Sequence, residues 1–173
     1  MGTLDAWRFC PRCRGELELD GRRAACSSCG FEAWASSAPT ANALVVDERG
    51  RVLLARRAVE PFKGRWDILG GFLEENEHPL DGLRRELREE TGLEVEPEEF
   101  LCATVDRYGD SSGAPWTLNL VWTARASGGE PVPADDVAEL QWFGADELPS
   151  ADDLAFTAVK DVLRAWVARQ QQS

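Results

Sequence analysis

The chain has 173 residues, 43% of them hydrophobic, and a net charge of −12 from 19 basic and 31 acidic residues. That length holds one ordinary domain plus a small accessory one. No run approaches eighteen apolar residues, which excludes a membrane-spanning helix, and the opening MGTLDAWRFC lacks the apolar stretch of a signal peptide. The charge is uneven: residues 1–39 carry five Arg and five acids, so the whole excess lies in residues 40–173. An acidic body disfavours nucleic acid as a partner, because phosphate contacts need Lys and Arg.

Residues 7–35 form the first predicted unit. Four of the five cysteines stand as Cys10-Pro-Arg-Cys13 and Cys26-Ser-Ser-Cys29, with twelve residues between the pairs. Paired C-x2-C units read as a zinc site, and a chain without a secretory signal fits a reducing cytoplasm better than a disulfide framework. Asp20-Gly21 is a hairpin signal between the pairs. Two knuckles joined by a hairpin resemble a zinc ribbon. So small a unit lacks an adequate core, and metal binding would supply much of its folding energy. Four thiolates close the coordination sphere of Zn2+, so the expected role is structural. Cys102, in an apolar run, is expected to be a buried structural thiol.

A short small-residue linker, 36–39, divides a ribbon unit (1–39) from the main domain (40–173). Strands are predicted at 41–46 and 52–55 around a turn at 47–50, then a loop at 61–65 and a short apolar run at 66–69. A helix is predicted from about Pro79, a favoured first-turn residue, to just before Gly92, with Leu80, Leu83 and Leu87 on its apolar side. Further strands are expected at 100–107, 116–126 and 139–143. A last helix is expected at about 151–169, with Ser150 and Asp153 as its capping box. Strands interrupted by one helix and closed by another fit an α/β/α sandwich around a mixed sheet.

The segment GFLEENEHPLDGLRRELREETGL, residues 71–93, carries the chemistry. Glu86, Glu89 and Glu90 stand at i, i+3 and i+4, which puts three carboxylates on one helical face. Like charges so placed repel, and a hard divalent cation, which prefers carboxylate oxygens, is the simplest reason to keep them.

Gly71, Glu77, Arg85, Glu86, Leu87, Glu89, Glu90, Gly92 and Leu93 match every fixed position of the Nudix box, GX5EX7REUXEEXGU, and the chain resembles the Nudix hydrolases over residues 40–170. The resemblance implies a nucleotide pyrophosphohydrolase. Mg2+ or Mn2+ would be held by Glu86, Glu89, Glu90 and the main chain of Gly70. Arg85 would orient a glutamate and Glu77 would brace the loop–helix–loop. Glu89 is the first candidate for general base, and Asp135, Asp136 and Glu139 are others from a later loop. Arg56, Arg57, Lys63 and Arg65 are candidate phosphate contacts, while Phe62, Trp66, Tyr108 and Trp116 are candidate base platforms. His78 is expected to begin the helix rather than to catalyse.

Two positions depart from the common family pattern. Leu69 stands where Pro often precedes the double glycine, and Asn76 where Gly often precedes the first glutamate. Asn tolerates positive φ, so the turn is expected to survive. A zinc ribbon ahead of a Nudix domain is similar to the NADH pyrophosphatases. Their SQPWPFPxS motif is absent here, since residues 94–102 read EVEPEEFLC. The expected substrate is a nucleoside diphosphate linked to another moiety, ADP-ribose or a dinucleotide, with homodimers common in the family. The alternative is a nucleotide sensor or binding module whose ribbon contacts a protein or nucleic acid; a third and weaker reading has the ribbon bind RNA through the clustered Arg12, Arg14, Arg22 and Arg23 and recruit decapping chemistry.

Overall fold

A computed structural model describes residues 4–171. Near the N-terminus, β1 (Glu18–Leu19), β2 (Arg23–Ala25) and β3 (Glu32–Trp34) form an antiparallel sheet in that order. The Asp20 carboxylate accepts the Arg23 N–H at 2.8 Å, and Gly21 takes φ 83°, so the expected hairpin forms where the sequence signalled it.

The second sheet contains β4 (Ala38–Val46), β5 (Val52–Arg57), β6 (Trp66–Asp67), β7 (Leu69–Phe72), β8 (Glu94–Arg107), β9 (Trp116–Gly128) and β10 (Val137–Phe143). Its order is β10-β5-β4-β9-β8, with β6 paired to β5 and β7 to β4. The β4–β9 pairing is parallel and the others are antiparallel, so the sheet is mixed. Alternation along β4 builds both faces of the sandwich. Ala41, Ala43 and Val45 pack with Leu83 and Leu87 of helix α1 (Pro79–Thr91). Leu44, on the opposite face, packs with Val159, Val162 and Trp166 of helix α2 (Thr157–Gln170). Leu83 and Leu87 are fully buried, and burial of a leucine of this kind stabilises by about 1.5–3 kcal/mol.

Helix α1 has the ends its sequence called for. The His78 Nδ1 accepts the Leu80 N–H at 3.3 Å, Pro79 occupies the first turn, and Gly92 closes the helix in the left-handed region at φ 70°. Asn76 also takes positive φ, 64°, and the turn survives without a glycine.

Helix α2 begins at Thr157, six residues later than expected. The intervening stretch is held to the sheet instead: Trp66 donates its N–H to the Asp153 carbonyl and Ala155 donates to the Trp66 carbonyl, each at 2.8 Å. Leu154, expected on the helical stripe, is bridged to Trp66 and buried in the same core from an extended backbone. Ser150 and Asp153 do bond at 2.7 Å, but they close a turn rather than cap a helix. Strands also run longer than read from sequence. β8 starts at Glu94 because bulges between Pro97 and Phe100 and between Phe100 and Cys102 let pairing continue past Pro97. Cys102 is half-buried against the α2-side core.

Candidate active site

Two glycines of β7 set its fit against β4 on one side and against α1 on the other. Gly70 lies opposite Asn42 of β4 at φ 128°, and a Cβ there would strike the backbone of Ala41 and Asn42. Its N–H donates to Glu90 Oε2 at 2.9 Å. A Cβ on Gly71 would lie 2.5 Å from the Glu86 Cδ. The missing side chain of Gly71 therefore gives Glu86 room to rise against the strand, while that of Gly70 lets β7 pack against β4.

Arg85 holds the loop before the helix to these acids. Its Nε and Nη2 both donate to Glu77, each at 2.8 Å, and its Nη1 donates to Glu86 Oε1 at 2.8 Å. Such forked, charge-assisted bonds fix orientation as well as distance. They hold the Glu77 carboxyl down at about 2 and push the Arg85 guanidinium up. Glu89 turns away: its carboxylate is half-exposed and meets Arg85 Nη1 at 3.2 Å.

Glu86 and Glu90 open on a cleft of about 200 Å³. Asp67, Asp106, Asp135 and Asp136 also line it, against one basic side chain, Arg57. Burial pushes the Glu90 carboxyl well up, opposed by the Gly70 N–H and reinforced by Asp136, Glu86 and Asp67. Burial likewise raises Glu86 against the pull of Arg85, and raises Asp67 to about 6 against Arg57. Carboxylates this crowded and this short of positive charge fit a divalent cation, which oxygen ligands accept at 2.0–2.6 Å. Of the three box acids, Glu86 and Glu90 line the cleft and Glu89 does not.

The four N-terminal cysteines fit a metal more directly. Their Sγ atoms all lie within 4.8 Å of one another, with Cys10–Cys29 at 3.6 Å and Cys13–Cys26 at 3.5 Å. A tetrahedron with metal–sulfur bonds of about 2.3 Å has edges of about 3.8 Å. No trio of carboxylates among the described residues is gathered as tightly.

The other expected contacts divide. Arg57 is buried at the cleft, bonded to Asp67 at 3.0 Å, to the Pro61 carbonyl at 2.7 Å and to the Tyr108 hydroxyl at 3.1 Å. Its guanidinium lies over the rings of both Tyr108 and Phe156. Arg56 pairs with Glu139 at 3.1 Å on the exposed surface, and neither lines the cleft. Lys63 and Arg65 are exposed, with Arg65 over Phe62. Trp66 is 7% exposed and edge-on to Phe143 in the core, so it presents no open face for a base. Trp116 lies under Arg107, outside the cleft lining, and His78 is a helix cap. Sequence reading missed Asp67, Asp106, Phe156 and the polar row of Thr40, Asn42 and Asn119 that also lines the cleft. Asn42 carried a signal, since it interrupts an apolar buried strand.

A mixed sheet between two helices, with box acids passing under a double glycine into an acidic cleft, defines the Nudix class of fold. The NUDIX domain family model matches residues 36–166. The chain belongs to that family. It is 31% identical over 156 residues to an NAD-capped RNA hydrolase NudC from Stutzerimonas stutzeri, covering 87% of this chain and 53% of that protein. It is also 31% identical over 123 residues to an ADP-ribose pyrophosphatase of Methanocaldococcus jannaschii, covering 69% of this chain and 70% of the other. The chain thus spans about half the length of the NudC relative. A NUDIX hydrolase from Nitrosomonas europaea superposes with a TM-score of 0.79 at 25% identity, over 96% of this chain and 94% of that one.

Proposed function

We propose that this chain hydrolyses the pyrophosphate bond of a nucleoside diphosphate linked to another moiety, with ADP-ribose or a dinucleotide-like molecule as the favoured substrate and Mg2+ or Mn2+ as the cofactor. The observation that carries this is the convergence of Glu86 and Glu90 beneath Gly70-Gly71 on a cleft with six carboxylates and one arginine. Relatives named for ADP-ribose and for NAD-capped RNA support a diphosphate-bridged substrate.

Glu86, Glu90 and the Gly70 main chain would hold the cation, with Glu89 at its rim. When bound, the cation neutralises phosphate charge and lowers the pKa of a coordinated water. Arg85 keeps Glu86 aimed by its 2.8 Å bond, and Glu77 keeps Arg85 in place. The acid that takes the proton of the attacking water is sought among Glu89, Asp135 and Asp136. The last two line the cleft whereas Glu89 is tied to Arg85, which favours the pair. Arg57 supplies the cleft's positive charge toward the substrate. Lys63 and Arg65, on an exposed loop, remain candidates for outer phosphate contacts. The cysteine cluster is read as a structural Zn2+ ribbon in a unit of residues 1–39 before a hydrolase unit of residues 40–173. Of these, residues 1–3 and 172–173 lie outside the described structure.

The test is a hydrolysis screen with Mg2+ and Mn2+. ADP-ribose should yield AMP and ribose 5-phosphate, with loss on the order of 10²-fold or more in kcat for Glu90→Gln. The outward turn of Glu89 favours a second reading, a nucleotide-binding module. Tight binding of ADP-ribose without turnover in any metal would establish that reading instead.

A further inference from the structure

The floor of the cleft carries a hydrogen-bond chain that the hydrolysis itself does not use. Asn42 and Thr40, two residues apart on β4, are only 7% and 5% exposed and share one face of the sheet. The Asn42 Nδ2 donates to Thr40 Oγ1 at 2.8 Å and to the Leu120 carbonyl at 3.4 Å. Thr40 Oγ1 donates to Asn119 Oδ1 at 2.8 Å, and Asn119 Nδ2 donates to Thr104 Oγ1 at 3.4 Å. The chain fixes the orientation of the Asn42 amide. Turning it over would set its oxygen against the Leu120 carbonyl and against a hydroxyl whose proton is already committed. One group is left over: the Asn42 Oδ1 accepts nothing from any described residue, although the side chain lines the cleft.

That acceptor opens on the same cleft as Glu86 and Glu90, from the α2 face of the sheet that it shares with Leu44. Asn42 is the register partner of Gly70, and Gly70 donates to Glu90. In a cleft of about 200 Å³, a group over Asn42 lies within one sugar's reach of a diphosphate held by Glu86 and Glu90. A third phosphate does not suit the place, because an acceptor oxygen amid carboxylates repels it. A hydroxyl suits it, because it donates. The cleft, at about 200 Å³, is also smaller than the roughly 300–1,000 Å³ of sites that enclose a whole drug-sized ligand. It has room for a sugar attached to the diphosphate, but not for a whole dinucleotide.

We infer that Asn42, positioned by Thr40 and Asn119, is a specificity-determining residue that accepts a hydrogen bond from a hydroxyl of a sugar attached to the diphosphate. Diphosphate-linked sugars are then the preferred substrate class, over triphosphates and over diphosphate esters without hydroxyls. The inference rests on reading the Glu86–Glu90 end of the cleft as the seat of the diphosphate.

The experiment uses the full chain and two probes, ADP-ribose and ADP n-butyl ester, which places a hydroxyl-free chain where the ribose would lie. The wild-type protein should favour ADP-ribose in kcat/KM, and Asn42→Leu should lower that preference about tenfold, as loss of one hydrogen bond to a substrate hydroxyl requires. If a thermal melt shows Asn42→Leu to be unfolded, Asn42→Ser serves, since it keeps a polar partner for Thr40 while withdrawing the acceptor. An unchanged preference, or equal losses on both probes, overturns the inference. If neither probe is hydrolysed by wild-type protein, the hydrolase reading fails on its own account. The ratio of the two dissociation constants, measured by calorimetry with Ca2+, then decides the role of Asn42 in the same way.

Discussion

Alanine at Gly71 should damage catalysis while sparing the fold, and alanine at Gly70 should do the reverse first. At Gly71 the backbone is unstrained, and a new Cβ would stand 2.5 Å from the Glu86 Cδ and Oε2 and 2.7 Å from Oε1. Carbon contacts settle near 3.5 Å, so the carboxylate must retreat by about 1 Å. The obstacle is the free end of a flexible side chain, so the expected loss of stability is about 1 kcal/mol or less. A displacement of about 1 Å at a reacting centre costs about 10²-fold in rate, and that is the expected fall in kcat/KM for ADP-ribose. Gly70 sits at φ 128° with the Ala41 and Asn42 backbone where its Cβ would go. Neither backbone can step aside, so a φ strain of about 1–3 kcal/mol adds to an overpacking cost of about the same size. Urea midpoints and steady-state rates on the two variants separate the effects. Full activity in Gly71→Ala, or destabilisation of Gly71→Ala equal to that of Gly70→Ala, would refute the assignment of separate duties.

Asp106 Oδ2 accepts the Ala158 N–H at 2.8 Å, while Phe156 provides α2 with no side-chain cap. Asp106→Ala should therefore destabilise by about 1 kcal/mol, the value of a helix cap, read as a lower urea midpoint. Glu77, held at about 2 by Arg85, is below its ordinary value of 4.5, so its contribution to stability is present above pH 4.5 and is lost as pH falls toward 2. Glu77→Gln should flatten the acid limb of the stability–pH curve in that window, and an unchanged acid limb would count against the Arg85 clamp. Removing a metal from Cys10, Cys13, Cys26 and Cys29 with a chelator should unfold the small sheet, seen as a change in emission of the exposed Trp34, and added Zn2+ should restore it. Tryptophan emission indifferent to both treatments would remove the metal reading.

Local rules carried the sequence reading far. Helix α1 was legible at both ends because a proline, a capping histidine and a glycine act within one turn of themselves. The hairpin at Asp20-Gly21 and the positive φ at Asn76 were legible for the same reason. The start of α2 was not, because apolar spacing over residues 151–169 satisfies a helix equally well whether or not Trp66 binds residues 153–155 to the sheet.

The sequence by itself determined the family, through its match to the Nudix box, the mixed sheet between helices, through the order of its elements, and the crowding of Glu86, Glu89 and Glu90 on one helix, through their spacing. Only the tertiary structure decided that Glu86 and Glu90 enter the cleft while Glu89 turns to Arg85, and that Asp67, Asp106, Asp135 and Asp136 join them from β6, β8 and the loop before β10. It also decided that Asn42 keeps one acceptor unspent. Periodicity tells which side of a helix or strand a residue occupies. Which distant element comes to face that side depends on how the layers pack, and in this chain the bare Gly71 of β7 leaves the space that Glu86 of α1 fills.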